Sequence, residues 1–132
     1  MDEQVRCCRR PSVSVVAKEP GYTSEVRDRV ENFHGQQLLY IGWDNHLMYS
    51  NPLCIPVAPD MPFSMLPTKI LPDLYDLHPD MAKVDWKKVE WLRDGKSFTP
   101  DMNESVAGNG FGHKSVLRFA TPGLNGLDGR CI

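Results

Sequence analysis

The chain has 132 residues, 41% of them hydrophobic, and its 15 Lys and Arg against 17 Asp and Glu leave a formal charge of -2. This suits one domain with a modest core, and a near-neutral surface without a basic run excludes nucleic acid or an anionic membrane as the main partner. The longest apolar run, Leu38 to Trp43, falls far short of the ~20 residues that cross a bilayer. The charged start, with Asp2, Glu3, Arg6, Arg9 and Arg10, has no apolar signal-peptide core, so a cytoplasmic protein is expected.

Met1 to Asp28 reads as an irregular N-terminal arm. It holds Pro11, Pro20 and Gly21, with only Val13, Val15, Val16 and Ala17 grouped. Such a segment is either a mobile tail or an arm that lies on a partner. The domain proper is expected over residues 29–132, with order beginning near Val30.

Gln37 to Trp43, rich in aliphatic and aromatic residues, predicts a strand. Asp44-Asn45 predicts a tight turn, with His46 to Ser50 as the return strand of a hairpin. Pro52, Pro56 and Pro59 mark the end of that strand as irregular and near an edge, because proline cannot donate to a ladder.

From Asp60 the period changes. Phe63, Leu66, Ile70, Leu74 and Leu77 recur at steps of three and four and predict a core-facing helical stripe. Ser64 is the expected N-cap, which places Pro67 in the tolerated first turn. Pro72 should kink or split the helix between Leu71 and Asp73, and His78-Pro79 ends it. A polar connection with Trp86 follows from Asp80 to Lys88.

Val89 to Pro100 predicts a strand, an Asp94-Gly95 hairpin turn and a partner strand. A polar loop with one short helical turn then leads to a closing apolar strand around Ser115 to Phe119. Strand, strand, helix, strand, strand, helical turn, strand is the order of an α+β, ubiquitin-like β-grasp domain, in which a mixed sheet wraps one helix.

One pattern bears on function. In the first strand Leu39, Ile41 and Trp43 point to one face while Leu38 and Tyr40 point to the other, and Trp91 and Leu92 repeat this later. A single helix covers one face only, and a free face of a sheet is ordinarily polar. A second apolar face implies cover, from a partner protein or from the N-terminal arm folding back.

Residues for chemistry are missing from the pattern. Glu31-Asn32-Phe33-His34 has the Glu-x-x-His spacing of di-iron bundles, but those need two such motifs on long helices, and Gly35 follows at once. A turn with His34 bonded to backbone is expected instead. His46, His78 and His113 look isolated. Ser115 beside His113 lacks an acid to orient the imidazole. Gly108-Asn109-Gly110-Phe111-Gly112 precedes a strand and lacks a phosphate loop's Lys-Ser/Thr, so loop flexibility is the expected reason for its glycines. Cys7, Cys8, Cys54 and Cys131 fit neither a disulfide framework nor a zinc or iron–sulfur spacing. They are expected to be reduced thiols, with metal capture by Cys7, Cys8 and a histidine as the alternative.

Several stretches together resemble a known family. Val30 to Gly35, Gln37 to Met48, Val89 to Leu92, Phe98-Thr99-Pro100, His113-Lys114-Ser115 and Thr121 to Leu124 look like the small (gamma) subunit of multicomponent phenol hydroxylase. The resemblance runs from about Glu25 to Ile132 and leaves Met1 to Arg10 outside it. It implies a hetero-hexamer of paired large, medium and small subunits acting as an NADH-dependent phenol 2-monooxygenase. In this picture the di-iron centre lies in the large subunit, and no catalytic, cofactor-binding or metal residue lies in this chain. Tyr40, Trp43, Tyr49, Trp86 and Trp91 are the candidate interface residues, since aromatics dominate contact energetics, although some of them must fill the core. The rivals are a stand-alone ubiquitin-like binding module, an independent small enzyme or metal protein, and the regulatory effector of a monooxygenase. An activated modifier needs an exposed Gly-Gly end, whereas this sequence finishes Asp128-Gly129-Arg130-Cys131-Ile132.

Overall fold

A computed structural model describes residues 18–132. Cys7, Cys8 and the valine group of the arm lie outside those residues. The first element is a 3-10 turn, Val30–Phe33. Five strands follow: β1 Gln37–Trp43, β2 Leu53–Val57, β3 Glu90–Arg93, β4 Lys96–Phe98 and β5 Ser115–Ala120. They form one sheet in the order β2-β1-β5-β3-β4. The central β1 and β5 run parallel and the remaining pairs are antiparallel. This mixed sheet over one helical segment is the expected β-grasp topology.

Two elements differ from the sequence reading. The return strand is Leu53–Val57 rather than His46 to Ser50, and Leu47–Tyr49 forms a 3-10 turn. The main chain at this turn is committed elsewhere: Leu47 N–H donates to Cys131 O at 2.8 Å, and the His46 side chain turns inward, 2% exposed. Pro56 therefore sits inside β2, opposite Leu38. It is tolerated there because β2 is an edge strand and the missing donor removes no outer ladder bond.

The helix also differs. A π-turn over Leu66–Ile70 runs directly into α1, Leu71–Leu74. Ser64 does not cap it. Its carbonyl instead accepts from Thr68 Oγ1 at 2.7 Å. The break falls one residue before Pro72, and the wider turn adds a residue to the repeat. The buried face is accordingly Phe63, Leu66, Leu71 and Tyr75, while Leu77 is 83% exposed. Four of the five expected stripe residues thus face the core, Ile70 and Leu74 only partly buried, and Leu77, beyond the end of α1, does not.

The core lies between this segment and one face of the sheet. Leu39, Ile41 and Trp43 of β1, Trp91 of β3, and Leu117 and Phe119 of β5 meet Phe63, Leu66, Leu71 and Tyr75 there. Asp94 and Gly95 both take left-handed backbone, φ 48° and 83°, as a two-residue hairpin requires. The glycine-rich loop is a built structure. Asn109 is buried, accepts from Asp101 N–H at 2.8 Å and donates to Asp101 O and Ser105 O at 3.0 Å each. Gly108 and Gly110 sit where a Cβ would strike Glu104 and Arg93, so close approach rather than flexibility accounts for them.

Candidate docking face and a buried histidine cluster

The register defines the second face of the sheet. Tyr40 lies opposite Cys54 on β2 and beside Val116 on β5, Leu38 lies opposite Pro56, and Leu92 lies beside Arg118. The side chains of β1 alternate between fully buried and half-buried, so Leu38 and Tyr40 retain exposure that Leu39 and Ile41 have lost. Val116, Leu92 and Ala120 are likewise half-buried, and Cys54 and Pro56 are exposed. Arg118 lies within this face on the central strand β5, its stem packed over Gly42 and its Nε bonded to Asp44 Oδ1 at 2.7 Å. The face is therefore apolar around Leu38, Tyr40 and Val116, with Arg118 and the exposed Glu90 also on it.

The five candidate interface residues divide between the two sides. Trp43 and Trp91 are core residues, 3% and 5% exposed. Trp43 stacks on Phe119 at 5.6 Å and its Nε1 donates to Thr121 Oγ1 at 3.0 Å. Tyr49 and Trp86 are half-buried against the core, and Trp86 borders an apolar groove with Pro67, Pro72 and Met102. Tyr40 alone of the five lies on the open face.

At the end of the sheet opposite Val30–Phe33, three side chains that look unrelated in the sequence meet. His46, His78 and Asp80 are buried and place potential ligand atoms within 4.8 Å of one another. His46 Nε2 lies 3.0 Å from Asp80 Oδ2, which also accepts from Gly126 N–H at 3.0 Å. Burial alone would raise the Asp80 carboxyl, but these two bonds and the neighbouring imidazoles outweigh it and hold the group below the usual carboxylate range. His78 caps the 3-10 turn Pro79–Lys83, its Nδ1 accepting from Asp80 N–H at 3.0 Å. Trp43 lies flat on His46, with ring centroids 3.6 Å apart. His46 and His78 are therefore not isolated. The His78-Pro79-Asp80 cap and the Trp43–His46 stack are local, whereas the bonds from Asp80 to His46 and Gly126 join residues 34 and 46 apart.

His113 serves a different join. Its Nδ1 accepts from Leu38 N–H at 3.1 Å, its Nε2 donates to Asp28 O at 2.6 Å, and its ring packs on Phe33 at 5.3 Å. Lys114 bonds the Asp28 carboxylate at 2.6 Å and holds that carboxyl below its ordinary range. This clamp ties residues 28–33 to the entry of β5. Ser115 starts that strand, and its Oγ accepts from Gly112 N–H at 2.9 Å. His34 is exposed, has left-handed backbone at φ 53° and only terminates a turn. Glu31 and His34 thus sit on one exposed four-residue turn, and the residues present do not fit a di-iron centre. No helix among the described residues is long and apolar enough to cross a membrane.

Comparison with known proteins places this geometry. A curated relative, the oxygenase component DmpO of phenol 2-monooxygenase from Pseudomonas sp. (strain CF600), is 46% identical over 110 residues. That match covers 83% of this chain and 92% of the relative. A chain of the xenon-pressurised crystal structure of phenol hydroxylase from Pseudomonas sp. OX1 superposes with a TM-score of 0.80 at 43% identity. It covers 90% of this chain and 100% of that one. A family model described as phenol hydroxylase matches residues 28–120, from the Asp28 clamp to the last residue of β5, and by that match the chain belongs to the phenol hydroxylase family.

Proposed function

We propose that this chain is the small, non-catalytic subunit of the oxygenase component of a multicomponent phenol hydroxylase in the cytoplasm. In this reading it assembles with large and medium subunits, two copies of each. The partner holds the di-iron centre that hydroxylates phenol with oxygen and NADH-derived electrons. The observation that carries the proposal is the match to an oxygenase component over nearly the whole of both chains. The open apolar face agrees with it, since exposed contiguous apolar surface marks an interaction site. Leu38, Tyr40, Leu92 and Val116 form the centre of the contact. Trp86 contributes through its groove, and Trp43, Tyr49 and Trp91 act from beneath by keeping the sheet rigid.

The test is co-expression with the large and medium chains of the same system, followed by size-exclusion chromatography and assay with reductase and NADH. The three chains should elute together, and phenol turnover should require all of them. Elution of this chain alone, with undiminished turnover by the other two, would overturn the reading. Binding only transiently during turnover would favour a regulatory effector instead.

A further inference from the structure

The hydrogen bonds around His46 and His78 fix which nitrogen each ring presents. Asp44 O and Ile132 O can only accept, so His46 donates from Nδ1 at 2.8 Å and His78 from Nε2 at 2.7 Å. Each ring therefore turns its other nitrogen toward Asp80. For His46 this leaves Nε2 3.0 Å from an Asp80 oxygen in a buried place, a contact that a proton fills in the metal-free chain and a metal ion could fill in its stead. Such a contact is repulsive unless a positive charge lies between the atoms.

A further observation points the same way. A remote N–H held by a main-chain carbonyl is the arrangement that orients metal-ligating histidines, and both rings have it.

We propose that His46 Nε2, His78 Nδ1 and the Asp80 carboxylate form a structural site for a divalent cation of the zinc class, with water in the fourth position. Two imidazoles and one carboxylate suit zinc better than magnesium or calcium. Metal–ligand bonds of about 2.0–2.2 Å put tetrahedral ligand atoms roughly 3.3 Å apart. His46 Nε2 already lies 3.0 Å from Asp80 Oδ2, His78 Nδ1 lies 3.0 Å from the Asp80 main-chain nitrogen, and the three residues bring one ligand atom each within 4.8 Å of the others, so small side-chain movements reach this. On binding, the proton between His46 and Asp80 leaves to solvent, and His78 Nδ1 exchanges its bond from Asp80 N–H for the metal. The ion would fasten the Leu47–Tyr49 turn, the Pro79–Lys83 turn and residues 126–132 to one another.

The test uses the full chain, stripped of metal and titrated with Zn²⁺ and Co²⁺. We expect one equivalent bound, a four-coordinate Co²⁺ absorption spectrum, and an unfolding midpoint that rises with Zn²⁺ concentration. His46→Gln and His78→Gln should each weaken binding at least tenfold, while the Cys7→Ser, Cys8→Ser double variant should bind as the parent does. Should the histidine variants fail to fold, ¹⁵N spectra of the parent decide, because Zn²⁺ must shift the resonances of His46 Nε2 and His78 Nδ1. A folded parent that takes up no metal would overturn the proposal. Binding that survives His46→Gln, or that is lost with the cysteines, would overturn it as well.

Discussion

Trp43 shows how much one position can mean in this molecule. Its ring is stacked between His46 and Phe119 and meets Tyr75 edge-on at 5.4 Å. Read from the sequence, it is equally eligible for core and contact, because alternation fixes which residues share a face but not which face is covered. The structure makes Trp43→Ala a folding defect: it should cost about 3–5 kcal/mol in urea unfolding of the isolated chain. Loss of assembly would follow from that. Tyr75 supports a second prediction. Burial, aided by nearby Tyr49, pushes its phenol well above the ordinary range. The folded chain then keeps this proton where the unfolded chain, with a phenol near ~10, releases it. Stability is fully present below pH ~10 and falls as pH rises beyond it. Tyr75→Phe loses only a long 3.4 Å bond to Ile41 O. Urea midpoints between pH 8 and 11 should show the parent losing ground to the variant above pH ~10. Equal slopes would contradict the burial argument. The Tyr49 phenol is raised as well, so some alkaline slope should remain in the variant.

Among the elements, the strands were the legible part. The Asp94-Gly95 turn and the alternation of β1 predicted their elements because the signals are local. The return strand was misplaced because its determinants are distant. His46 and Leu47 are held by Asp80 and Cys131, residues 34 and 84 positions away in the chain. The helix illustrates a subtler failure. A step of three or four residues assumes 3.6 per turn, and one π-turn shifts every later position on the helix surface. Leu71 and Tyr75 are fully buried, Ile70 and Leu74 pack against the core at its edge, and Leu77, past the end of α1, is exposed. This yields a paired prediction. Leu77→Gln should leave stability within about 0.5 kcal/mol of the parent. Leu71→Ala, which empties a fully buried site, should cost about 2–5 kcal/mol. Thermal unfolding of the two variants checks which side chains the core holds, and a costly Leu77→Gln would count against its exposed position beyond α1.

At the scale of the whole molecule, the sheet is finished on one side and unfinished on the other. Among the described residues, fourteen apolar side chains make the core cluster. On the opposite face Tyr40 and Val116 are register partners at the centre of the parallel pair, half-buried and flanked by Leu38 and Leu92. A tyrosine carries roughly 150–250 Å² of contact area. At ~25 cal/mol per Å², covering the third or less still exposed is worth about 1–2 kcal/mol, roughly five- to thirtyfold in affinity. A charge placed at this spot stays in water in the free chain but is buried without a partner in the complex. Tyr40→Glu should therefore keep an unfolding midpoint within a few degrees of the parent, yet elute apart from the large and medium chains. The exposed Leu77→Gln lies away from this face and should co-elute normally, which separates a face-specific defect from a general one. If Tyr40→Glu assembled with parental affinity, the open face would not be the docking surface. The groove beside Trp86, on the helical side of the sheet, would then be the next surface to charge, with Trp86→Glu scored by the same elution.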